Sequence, residues 1–572
     1  MPEQRNLILA IALSLAILLG FEFLWPKAEV PPEQQQAAQQ AQQQAQAPDA
    51  PQPSAPGVPT VPGTAAPDAP AARSAVIAGQ GERIRIDTPA LRGSLNLQGG
   101  RIDDLTLKNY GVTPDQDSPR IDLLSPTGTP NPYYAEFGWV AAGGVQVPGS
   151  DAVWTADKDV LKPGEPVNLT WENDQGVVFK RTVTVDDHYM FTVEQTVTNT
   201  TGEPITLYPY GLVSRVGTPP TAGYYILHEG PLGVFNGTLK ELKYEDLKDE
   251  QTVEQTTTGG WIGITDKYWL TALAFEPDLE TKARFAYRGQ GAERYQVDYL
   301  EPAMTIAAGE TATVKNNFFA GAKQVQLLDE YAEKFNITNF DLAVDFGWFY
   351  FLTKPFFYIL NWLHGVVGNF GLAILAFTVL VKAVMFPLAN KSYRAMSKMK
   401  KLQPEMKKLQ ERFGDDRVRL NQEMMALYKR EKANPVSGCL PIFIQIPVFF
   451  ALYKVLFVTI EMRHAPFYGW IHDLSAPDPT TIFNMFGLIP WTPPSFLMIG
   501  VLPLIMGITM WLQMKLNPAP PDPVQAKIMS FLPVIFTFML AAFPAGLVLY
   551  WAWNNVLSIA QQWLIMKRAD AV

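Results

Sequence analysis

The residues that invite a chemical reading lie in the last third of the chain. Lys382 stands within the apolar run FGLAILAFTVLVKAVMFPL. A lysine near the centre of a membrane-spanning helix costs about 2.5–3.5 kcal/mol on insertion scales. Its ammonium must therefore face water or snorkel to the interface, and both readings stay open. Thr378 lies four positions earlier, on the same helical face. Gln445 interrupts a second apolar run. In a third, Trp551, Asn555, Ser558 and Gln562 fall at i, i+4, i+7 and i+11, a polar stripe on an otherwise apolar helix. Singly, each uncharged residue suits an ordinary interhelical hydrogen bond. Together with an unpaired cation they indicate a hydrated groove within a bilayer, carrying one positive charge. The last five apolar runs contain no Asp, Glu or His. That argues against proton- or sodium-coupled transport and against intramembrane proteolysis, which need such groups. A charged groove without reactive groups suits a hydrophilic segment of another chain in transit.

Those residues need helices to hold them. The chain has 572 residues, three or four domain-sized units, with 48% hydrophobic residues. A mean hydropathy of +0.01 resembles that of a soluble protein, but the apolar residues are concentrated in the last third and at the N-terminus. The net charge of −9 gives no overall drive towards nucleic acid. A single cysteine, Cys439, excludes a disulfide framework and multi-cysteine metal sites, and five scattered histidines do not suggest a metal site.

Residues 6–25 form an apolar run of membrane-crossing length, about 20 residues. An uncleaved anchor fits better than a signal peptide, because Leu24-Trp25-Pro26 follows rather than a small-residue cleavage site. Further spans are expected near 369–388, 438–460, 495–516, 527–543 and 546–566, six in all. Residues 346–364 read as an amphipathic helix lying in the interface, since Lys354-Pro355 sits at its middle and Trp348, Tyr350, Tyr358 and Trp362 favour the headgroup region. A seventh span is the alternative. Loop 389–437 holds 13 Lys/Arg against 6 Asp/Glu, whereas 461–494 holds only Arg463 and no Lys. Six spans place the basic loop and both termini in the cytoplasm, as the positive-inside rule expects.

Residues 26–80 are rich in Pro, Ala and Gln and read as a disordered linker. From 81 to 321 short alternating segments such as FKRTVTV and YMFTVEQTVTN indicate an extracytoplasmic all-β sandwich. No P-loop, GxSxG or HExxH motif occurs there, and Asp186-Asp187-His188 reads as a turn. Residues 322–343 read as a linking helix, and 322–368 as the linking and interfacial segment before a core at 369–566 and a tail at 567–572. Within 389–437, Met396, Met399, Leu402, Met406, Leu409 and Phe413 recur at helical spacing. Leu420, Met424, Leu427 and Tyr428 follow after Gly414-Asp415-Asp416. The pattern is an antiparallel hairpin. It is either a basic, Met-rich arm that touches ribosomal RNA, anionic lipid or nascent apolar segments, or a solvated arm whose charge only sets topology.

The runs VDFGWFYFLTKP, VKAVMFPLANKSY, GDDRVRLNQEMMALYK, NPVSGCLPIFIQIPVFFALY, WIHDLSAPDP, QAKIMSFLPVIFT and FPAGLVLYWAWNN resemble the YidC/Oxa1/Alb3 family of membrane protein insertases, almost continuously from 346 to 566. The linker and β domain resemble its Gram-negative form, with a supersandwich in the periplasm. The resemblance implies a polytopic α-helical inner-membrane protein of six transmembrane helices, with a periplasmic all-β sandwich and a cytoplasmic helical hairpin. It also implies a non-enzymatic insertase and chaperone without cofactor, metal or small-molecule substrate. The implied partners are nascent membrane proteins, the Sec translocon with its accessory subunits, the ribosome through the hairpin, and membrane lipids. The family's groove cation is usually arginine; Lys382 takes that position, keeping the charge without the bidentate fork. Groove positions carry over onto Thr378, Gln445 and Trp551, and the stripe adds Asn555 and Ser558. A membrane-anchored scaffold whose β domain binds envelope partners is the alternative. A sugar-modifying enzyme lacks the paired carboxylates it would need.

Overall fold

The computed structural model describes residues 71–221, 227–289, 291–414, 416–431, 440–487, 489, 491, 493–494, 498–517 and 523–570. The expected anchor at 1–25, the linker as far as residue 70, Cys439 and the last two residues of the tail lie outside them.

The last stretch of the expected linker is ordered, which corrects its boundary. Helix α1 (Arg73–Gly79) packs on the β domain because Arg73 pairs with Asp104 and Asp122, and Ala71 N donates to Gly128 O at 3.2 Å. Strands then run from Arg83 to Ala322, forming one sheet of 11 strands and one of 9, mostly antiparallel. Period-two patterning is the cause: every second residue from Val177 to Val185 is buried. Long strands Tyr133–Ala142 and Ile205–Val216 pair in the first sheet. Thr311–Ala322 lies between Met190–Asn199 and Trp269–Ala274 in the second. Phe137 of one sheet meets Phe318 of the other edge-on, with centroids 6.1 Å apart. The core also holds a buried cation, Arg181. Arg181 donates to the carbonyls of Gly100 and Phe137 and stacks on Trp154; burial lowers its pKa to about 10. Asp186 forms the expected turn, its Oδ1 accepting from the backbone N–H groups of His188 and Met190. Helix α2 (Tyr244–Glu250) lies between strands.

The single linking helix expected over 322–343 is broken. Helix α3 spans Val325–Lys334, and a 3-10 turn covers Phe340–Ala343. Between them Asn336 and Asn339 take positive φ, 52° and 51°, a conformation Asn tolerates better than most residues. The helical part follows as α4 (Tyr350–Val367), α5 (Phe370–Val384), α6 (Phe386–Phe413), α7 (Arg417–Arg430), α8 (Leu440–Val458), α9 (Val501–Leu516), α10 (Pro523–Leu540) and α11 (Ala545–Asp570). Among the described residues no single helix is long and apolar enough to cross a membrane; α5 and α6 pass that test together, bent by 68°. The span expected through 388 therefore turns at Met385. Pro387 has no N–H to continue the α5 ladder, yet is accommodated in the first turn of α6. Helices α6 and α7 pack through Met406, Met424 and Leu427, with Met399, Leu402, Leu409, Leu420 and Tyr428 around them.

The β domain and the segment that follows it are fastened to the helices by polar contacts. Lys354 of α4 bridges Asp329 (2.9 Å) and Asp341 (2.7 Å). Lys454 of α8 pairs with Asp345 at 2.8 Å. Arg463 donates to Gly111 O at 2.7 Å. Glu461 Oε1 accepts from Val325 N, at the start of α3, at 3.0 Å.

Glu461 sets up a test. Its Oε2 is buried without a hydrogen-bond partner among the described residues, and burial pushes the carboxyl up from 4.5 to about 7. The stability carried by the buried neutral acid is complete below pH 4.5 and is lost as pH rises through 7. Relative to Glu461→Gln, the wild type should lose on the order of 1–3 kcal/mol between pH 5 and pH 8. Melting curves of both proteins at the two pH values check this; a difference independent of pH counts against it.

Candidate functional site

Helix α11 is the hub of the site, packing against α9, α5, α6 and α8. The reason is local sequence: its polar residues recur on a helix whose other positions are apolar, so each must find a partner on a neighbour. Lys382 Nζ of α5 donates to Ser558 Oγ of α11 at 2.8 Å, and that hydroxyl donates to Asn554 O one turn back at 2.7 Å. No carboxylate lies within ion-pair distance of Lys382 among the described residues. Lys382 is half-buried and lies three residues before the bend at Met385. Trp553 Nε1 ties α11 to α5 a second time, donating to Leu375 O at 3.2 Å.

The other expected positions divide. Gln445 Nε2 of α8 donates to Tyr550 Oη at 2.7 Å. Trp551 is half-buried between Phe449 and Phe536, with centroids 4.7 and 5.3 Å away. Thr378 is buried, and its hydroxyl donates to Ile374 O of its own helix at 2.7 Å. Asn555 Nδ2 reaches Thr509 Oγ1 of α9 at 3.3 Å. Gln562 Nε2 reaches Asn517 Oδ1 at 3.0 Å. The structure thus joins Lys382 to Ser558 and turns Asn555 and Gln562 towards α9. Thr378→Val should consequently leave the activity that the resemblance implies within about two-fold of wild type, since only a bond internal to α5 is lost; an assay of that insertion on both proteins checks it.

Sequence reasoning missed a second lysine in a span. Lys454 lies inside the run expected at 438–460, and its position was the available signal. Its partner Asp345 sits far upstream and could not be foreseen from spacing. With Lys454 neutralised, Lys382 is the unpaired ammonium of α5 and α8. Among the described residues no group of three or more His, Cys, Asp or Glu side chains could hold a metal ion. The arrangement can attract an anion and offer hydrogen bonds beside an apolar surface.

Comparison with known proteins identifies the family of the chain. Residues 83–359 match the YidC periplasmic domain, and residues 362–571 match the 60Kd inner membrane protein model. A membrane protein insertase YidC of Methylorubrum extorquens (strain PA1) is 53% identical, over 99% of this chain and 95% of its own. That of Rickettsia felis is 49% identical, over 98% of this chain and 99% of its own. Among solved structures, an active YidC insertase with its first transmembrane domain resolved aligns at 17% identity and TM-score 0.34, over 84% of this chain and 92% of its own. A galactose mutarotase-like protein from Lactobacillus casei ATCC 334 aligns at 14% identity and TM-score 0.29, over 42% of this chain and 99% of its own. Both scores are low, so membership rests on the sequence relatives. From the two family matches and the near-complete alignments, the chain belongs to the YidC family of membrane protein insertases.

Proposed function

We propose that the chain inserts small membrane proteins into the bacterial inner membrane, and helps others fold beside the Sec translocon. The observation that carries the reading is an ammonium on an apolar helix bundle whose partner is one serine hydroxyl. Lys382 attracts acidic residues in a client's short extracytoplasmic tail. Ser558, Gln445 and Trp551 line the same route, and the client's apolar segment passes along α8 and α10 into lipid, driven by burial of about 20 apolar residues. Six helices cross the bilayer, counting the N-terminal run. Both termini and the α6–α7 hairpin lie in the cytoplasm, where its basic surface meets the ribosome, and the β domain lies in the periplasm. No cofactor takes part.

The test is site-specific photocrosslinking to a stalled nascent chain. Probes at Gln445 and Trp551 should capture the client, while a probe at Leu564, on the exposed side of α11, should capture it far less. Equal capture from all three positions would remove the route.

A further inference from the structure

One apolar feature takes no part in that site. From Pro479 to Met514 the chain carries no Asp, Glu, Lys, Arg or His. Helix α9 begins only at Val501, so the charge-free stretch includes the last part, 479–500, of the connection before it. Surface loops are ordinarily polar, because their backbone faces water. This loop instead exposes Phe483, Met485, Phe486 and Trp491. Met485 and Phe486 both have positive φ, 51° and 59°, a region that costs a non-glycine residue about 1–2 kcal/mol.

The base of the loop is built. Asp478 is 4% exposed. Its Oδ1 accepts from Trp470 Nε1 (3.1 Å), Thr480 N (3.0 Å) and Thr480 Oγ1 (2.6 Å), and its Oδ2 accepts from Leu502 N (2.8 Å). Both ends of the loop are thereby fixed at the start of α9. Gly500 lies so near this carboxylate that a Cβ there would stand 2.4 Å from Asp478 Cγ. The apolar surface continues beyond the clasp along α9, where Ile505, Ile508 and Trp511 are exposed.

We propose that Phe483, Met485, Phe486 and Trp491, in the connection before α9, form an interfacial hook seated at the headgroup–acyl boundary of the outer leaflet. The inference rests on the reading that α8 and α9 cross the bilayer, which puts both feet of the loop at its outer surface. Lipid is the occupant for three reasons. The tip has no charged rim of the kind protein interfaces carry. It is continuous with the exposed apolar side of α9. Aromatic residues are the types that favour this depth.

The experiment uses the full chain in a Cys439→Ser background, in phosphatidylethanolamine–phosphatidylglycerol vesicles. A nitroxide at Phe486→Cys is compared with one at Val379→Cys, on the exposed side of α5, and one at Asp174→Cys, on an exposed β-domain turn. The hook predicts that oxygen reaches the Phe486 label several-fold better than a nickel chelate does, as at Val379. A Phe486 label open to nickel like that at Asp174, with Val379 lipid-like, overturns the hook and leaves the spans standing. Nickel access at Val379 overturns both. Dipolar broadening between Phe486 labels overturns the hook in favour of a second copy. Trp491→Cys gives the same readout if Phe486→Cys does not fold.

Discussion

Replacing Lys382 by alanine is expected to lower insertion of a small client with an acidic extracytoplasmic tail by ten-fold or more, while Lys382→Arg retains most of it. The argument is electrostatic. Two unit charges 4 Å apart attract by about 4 kcal/mol at an effective dielectric near 20 and by about 1 kcal/mol in bulk water. A cation on an apolar bundle sits between those limits, and 1.4 kcal/mol is already ten-fold. Arginine keeps the charge and adds a planar fork; alanine leaves Ser558 alone. Reconstituted vesicles and a protease-protection readout measure it. Equal insertion by all three proteins would remove the charge from the account. Deleting roughly 100–300 separates the scaffold alternative: a membrane core that still inserts clients carries the activity itself.

The second large effect concerns Lys354. Its ammonium is held by Asp329 and Asp341, from two elements that follow the β domain, and their side chains are only 26% and 13% exposed. Lys354→Met leaves two partly buried carboxylates facing each other without a cation. Breaking a fully buried pair costs about 3–5 kcal/mol; partial exposure lowers that to roughly 2–4 kcal/mol here. The melting temperature of the full chain should fall, and proteolysis between the β domain and α4 should accelerate. Adding Asp329→Asn and Asp341→Asn should recover part of the loss. A single variant that melts like the wild type would show that the contact does not fasten the domain.

How far these features were legible depends on distance along the chain. Periodicity within ten residues exposes the strand Val177–Val185 and the Met396–Phe413 face, because each depends on side chains a few positions apart. The polar stripe on α11 was legible as a stripe, but not its partners. Whether Asn555 meets water or Thr509 is decided by which helix packs alongside, and spacing within one helix carries no information about that. Lys454 and Asp345 show the same limit, being over a hundred positions apart. The break within 322–343 was hidden because its apolar residues fit helical periodicity while Asn336 and Asn339 decide the backbone. The turn at Met385 follows from one proline, Pro387, inside a run whose hydropathy continues without interruption.

That turn has a mechanical corollary. Helix α6 has 28 residues and so extends about 42 Å from its pivot. Lys382 stands one turn on the other side of the same pivot. A rotation of 10° there displaces the distant tip by about 7 Å while shifting the ammonium very little. Leverage runs the other way as well: whatever grips the tip of the arm applies torque beside Lys382.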